Sequence, residues 1–130
     1  MVGECFTSLL RLEPRRSLDF VGGFLDHQEP AVVEGAALAL GESRLEGAVE
    51  RLEERLELTV RSELQRSLYL ALSLTRHERA VERLTNEVAE GPIGRAGHAL
   101  TALALHRHDE RLRQRLRDLV TERHDRELEK

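Results

Sequence analysis

The pentapeptide AVERL occurs at residues 48–52 and again at 80–84, a spacing of 32. The match extends upstream without a gap, LALGESRLEGAVERL (38–52) against LALSLTRHERAVERL (70–84). A third copy, LALHRHDERLRQRL (103–116), needs one deletion. A weaker first copy is LLRLEPRRSLDFVGGF (9–24), where Phe20, Val21 and Phe24 take the places of Ala48, Val49 and Leu52. Self-similarity at such a period marks units that cannot bury an apolar face alone and must stack on their neighbours. The 130 residues form one domain, 1–130, with approximate repeats at 1–28, 29–57, 58–90 and 91–130.

Each unit reads as helix, short turn, helix. Val32, Val33, Ala36, Ala37 and Leu40 recur at helical spacing, and Ala48, Val49, Leu52 and Leu56 repeat the stripe after a polar break. The third unit has Val60, Leu64, Leu68, Ala71 and Leu72, then Ala80, Val81, Leu84 and Val88. The fourth has Ile93, Ala96, Leu100 and Leu103, then Leu112, Leu116, Leu119 and Val120. No stretch alternates as a strand does. The pattern predicts an all-α chain of about eight helices, over 3–12, 15–26, 30–41, 45–57, 59–75, 77–90, 92–106 and 108–127. Pro30 and Pro92 fall at helix starts, where a missing N–H costs nothing, and Pro14 closes one helix and opens the next. Gly41 is expected to end a helix, Ser43 to cap the following one, and Asp109 to face the positive end of a helix dipole. Turns of two to four residues make paired helices antiparallel.

The stretch EPAVVEGAALALGES, at the head of residues 29–57, resembles the first helix and turn of a HEAT repeat, of the short bacterial kind also seen in phycobilin-lyase-like HEAT proteins. The match lies in the Pro near the helix start, small residues in its middle, Leu-Gly at its end and an apolar second helix. Residues 58–90 lack the Pro and carry Ser73 for Gly41, residues 91–122 keep Pro92 without a terminal Gly, and the first unit is degenerate. The resemblance implies a right-handed α-solenoid of about four HEAT-like helical hairpins, with second helices lining a concave surface. It also implies a protein-binding scaffold, since fold alone carries no chemistry. Alternatives are an accessory lyase-like protein handling a chromophore or other small ligand, and a structural fragment of a longer solenoid.

Composition narrows the function. Net charge is −4, aromatics make up 3% and Trp is absent, so neither a basic footprint nor a stacking platform for nucleic acid is present. Of 20 basic residues 19 are Arg, which a GC-rich genome explains more simply than selection for anion recognition. Cys5 is the sole cysteine and is expected to be a small buried hydrophobe. The N-terminus lacks a basic region before an apolar run, and no stretch has the roughly 18 apolar residues of a membrane span, so a cytoplasmic protein is expected. No nucleophile motif or phosphate loop occurs, so we expect neither an enzyme nor a bound cofactor. In GPIGRAG (91–97), Gly94 and Gly97 are expected to permit close helix approach or to loosen a helix start.

The candidate binding residues are Arg51, Arg83 and Arg115, spaced by 32 on successive second helices and accompanied by Glu50 and Glu82. Stacking would align them as a ladder that grips the carboxylates of a partner protein or acidic peptide. The plainer reading is a solvated face of helix ion pairs, with Glu54, Glu87 and Asp118 at i+3 or i+4. His77, His106 and His108 sit at turns without metal-ligand spacing, so no metal is expected. Phe6, Leu9, Leu10, Phe20 and Phe24 make the first repeat the most aromatic, a face for self-association if they are exposed.

Overall fold

The structure, a computed structural model, describes residues 2–128. Among these it is all-α and holds no strand. Eight helices follow one another: α1 (Val2–Leu12), α2 (Pro14–Gly23), α3 (Pro30–Ser43), α4 (Glu46–Leu58), α5 (Ser62–Thr75), α6 (Glu78–Glu90), α7 (Ile93–Leu103) and α8 (Glu110–Leu128). Single 3₁₀ turns extend α2 through Phe24–Asp26 and α7 through Ala104–His106. Every helix read from the repeat is present within a few residues of its expected bounds.

The helices pack in two rows. The odd-numbered helices stand side by side, α3 between α1 and α5, and α5 between α3 and α7. The even-numbered helices lie behind, with α4 touching α2 and α5, and α8 touching α6. Between the rows Leu40, Leu52, Leu56, Leu68, Leu72 and Leu84 are fully buried, and one continuous core runs from Phe6 to Leu116. Most of it is Leu, Ala and Val, whose small and branched side chains let helices approach closely.

The turn between α3 and α4 and that between α5 and α6 share one design at a spacing of 32. Ser43 Oγ donates to the Leu40 carbonyl at 2.6 Å and accepts from the Leu45 N–H at 3.2 Å. Thr75 Oγ1 donates to Leu72 at 2.7 Å and accepts from the His77 N–H at 3.3 Å. The next residue, Arg44 or Arg76, is left-handed at φ 56 or 57. Ser43 thus finishes α3 and steers the chain; it is not the N-cap of α4, a place Leu45 occupies without a side-chain cap. Asp109 does cap, its Oδ1 accepting the Leu112 N–H at 3.1 Å.

Gly41 does not end α3, which continues to Ser43. A Cβ at Gly41 would press into the carbonyl oxygen of Ala71 on α5 and stand 3.0 Å from its carbonyl carbon. The next repeat has Ser73 at this seam, fully buried, its Oγ donating to the Ala102 carbonyl on α7 at 2.7 Å. Gly94 and Gly97 do not serve close helix approach, since a Cβ on either would meet nothing within 4 Å. Cys5 is exposed, because Phe6 and Leu10 take the inward face of α1. Val60 and Ile93 fall outside the core at 88% and 76% exposure: Val60 precedes α5, and α7 buries Ala99, Ala102 and Leu103 instead.

Candidate functional site

The even-numbered row carries the three arginines, and the structure divides them. Arg51 on α4 reaches Asp19 on α2. Arg83 on α6 pairs with Glu53 Oε2 at 3.5 Å and with Glu57, both on α4. Neither uses the same-helix carboxylate anticipated for it, Glu54 or Glu87, as an ion-pair partner. A neighbouring helix offers a carboxylate straight across the groove, so the guanidinium bridges two repeats. Arg115 on α8 is exposed and makes no hydrogen bond or ion pair with any described residue; Asp118 instead accepts from Gln114 at 3.0 Å.

The bridging is general along this row. Arg55 Nη1 meets Asp26 Oδ1 at 2.8 Å, and Arg79 meets Glu53 at 3.1 Å and Glu50 at 3.7 Å. Arg126 meets Glu90 at 3.2 Å, and Arg123 donates to the Val88 carbonyl at 3.0 Å. The spacing of 32 located the arginines but not their partners, because the carboxylates come from 26 to 36 residues away with no fixed offset. The hydrogen bond from Arg83, and then its charge, hold Glu57 below the usual carboxylate range. Burial works against the charge of Arg83, but the bond to Glu57 and the charges of Glu57, Glu53 and Glu87 outweigh it and raise its pKa.

Toward the first turns of α6 and α8, away from the Arg126–Glu90 pair, a cleft of about 500 Å³ opens between the two helices. Three arginines, Arg76, Arg111 and Arg115, and three carboxylates, Glu78, Glu82 and Asp109, line it. The side chains of Arg76 and Arg111, like that of Arg115, have no partner among the described residues. Glu82 lies on this cleft and Glu50 on the paired part of the row, so the five candidate residues form no single cluster. Arg76 and Arg111 were not anticipated; they join Arg115 only when the α5–α6 turn and α8 are brought to one groove.

The turn histidines tie repeats together. His77 Nε2 is 2.8 Å from the Arg44 carbonyl, and His106 Nε2 is 3.2 Å from that of Ser73. A carbonyl only accepts, so each Nε2 carries the proton and is turned away from metal ligation. Among the described residues no three His, Cys, Asp or Glu side chains are grouped to hold a metal ion. No described helix is long and apolar enough to cross a membrane.

Tyr69, fully buried on α5, points toward α7, its ring 6.5 Å from that of His98. Its hydroxyl makes no hydrogen bond of acceptable geometry. Burial first, and the nearby negative charge of Glu87 second, push its pKa up to about 12. Comparison of the chain with protein-family profiles, with curated proteins and with solved structures finds no match.

Proposed function

We propose that the chain is a non-enzymatic, right-handed HEAT-like α-solenoid of four hairpins that binds a protein or acidic peptide through its second-helix surface. The two-row packing and the recurrence of the turn design support the fold. One observation carries the binding reading: Arg51, Arg55, Arg79, Arg83 and Arg126 of the even-numbered row meet carboxylates of the neighbouring repeat, and Arg76, Arg111 and Arg115 beside the α6–α8 cleft do not. A partner's carboxylates would stand where the next helix's acids stand elsewhere in the row. Paired Arg–carboxylate contacts of this kind fix geometry as well as supply energy. The packed leucines between the rows weigh against a chromophore-handling protein, which needs an apolar chamber there.

The test is a fluorescence-anisotropy titration of a labelled glutamate-rich peptide at low salt. The Arg111→Glu/Arg115→Glu double variant should weaken binding by about tenfold or more, with helical circular dichroism and melting midpoint unchanged. Equal affinity for variant and parent would overturn the reading.

A further inference from the structure

The bridges of the even-numbered row can be compared position by position, because the spacing of 32 holds in the packing. Ala48, Ala80 and Leu112 are buried at one level of α4, α6 and α8, and Leu52, Leu84 and Leu116 at the next. Arg111 and Arg115 therefore stand on α8 where Arg79 and Arg83 stand on α6. Between α4 and α6 two carboxylates one helical turn apart hold those arginines. Glu53 takes Arg79 at 3.1 Å and Arg83 at 3.5 Å, and Glu57 takes Arg83 as well. At the same spacing of 32, their places on α6 are held by Thr85 and Ala89. Thr85 turns its hydroxyl to the Val81 carbonyl of its own helix at 2.7 Å, and Ala89 offers no acceptor. At this level the arginine half of the bridge is repeated and the acid half is gone.

The acids left in the cleft do not take their place. Glu78 and Glu82 are the counterparts of Glu46 and Glu50, and even Glu50 comes no nearer to Arg79 than 3.7 Å. Asp109 Oδ1 is taken by the Leu112 N–H at the start of α8. Three arginines against three carboxylates give the cleft no net charge, so acidity alone is not drawn in. Selection has to come from where carboxylates are placed. We propose, building on the acidic-peptide reading above, that the cleft takes a helical segment of a partner protein bearing two glutamates at i and i+4. These restore the pairs that Glu53 and Glu57 make one repeat earlier. The first glutamate bridges Arg111 and Arg115, and the second binds Arg115 alone. Residues at i and i+4 share a helix face, whereas residues at i and i+2 do not, so the spacing is itself the signal.

The test is a fluorescence-anisotropy titration of the full chain with two labelled helical peptides of identical composition, one with its two glutamates at i and i+4, the other at i and i+2. The first should bind at least about tenfold more tightly. Changing the second glutamate of that peptide to Gln should cost about tenfold against the parent and against Arg111→Gln, and nothing further against Arg115→Gln. Both arginines are exposed and unpaired among the described residues, so their Gln variants should keep the parent's helical circular dichroism. Equal affinity for the two peptides overturns the pairing inference, as does a second glutamate that responds to Arg111 instead of Arg115. If the glutamate-rich peptide of the earlier test still binds in those cases, the acidic-peptide reading survives without it. If none of the three peptides binds, both fall.

Discussion

The seam between neighbouring odd-numbered helices turns on single atoms. At Gly41 a hydrogen stands where the Ala71 carbonyl leaves no room for a methyl group, and at Ser73 a hydroxyl binds the corresponding carbonyl of Ala102. The same architectural place is filled by absence in one repeat and by a hydrogen bond in the next. Gly41→Ala should therefore force α3 and α5 apart. Overpacking of this kind costs about 1–3 kcal/mol, lowering the midpoint of thermal unfolding by about 5–15 °C for a domain of this size. Thermal circular dichroism measures it, and an unchanged midpoint would show that the seam opens freely. Arg44 and Arg76 hold a left-handed backbone usually left to Gly or Asn, and the hydroxyls of Ser43 and Thr75 tie the chain just ahead of that bend.

At the scale of the element, helix positions were legible because a 3.6-residue stripe repeats four times, and Pro14 and Pro30 begin helices as their fixed φ dictates. Facing was less legible. Ile93, Leu100 and Val120 fit the stripe yet lie exposed, because periodicity shows which side of a helix is apolar and not whether anything covers it. The candidate arginines were legible as a row, but Arg51 and Arg83 are engaged by Asp19 and Glu57, whose spacing in the chain follows no rule. These bridges between α4 and α6 respond to acid. Glu57 has a folded pKa below its unfolded value, so the stability it lends is present above about pH 4.5 and is lost as pH falls through the lowered value. Because Glu57 is largely exposed, the effect is small. Urea unfolding should give Glu57→Gln and the parent midpoints that differ at pH 7 and converge toward pH 3; a constant difference would mean the pair does not titrate with folding.

At the scale of the molecule, the two rows are held by different forces. The odd-numbered row is joined by apolar contact and by the close approach at Gly41 and Ser73, which salt does not screen. The even-numbered row is joined in large part by ion pairs, most with one partner well exposed, which are screened over about 3 Å at 1 M salt. Spin labels on α2 and α6 should move apart in pulsed-resonance distance measurements as salt is raised, and labels on α3 and α7 should not; equal change in both pairs would refute the contrast. The consequence is mechanical. A body with one stiff edge and one compliant edge bends about the stiff one, as a book opens about its spine. The cleft between α6 and α8 lies on the pages, so its width should follow the ionic strength of its surroundings.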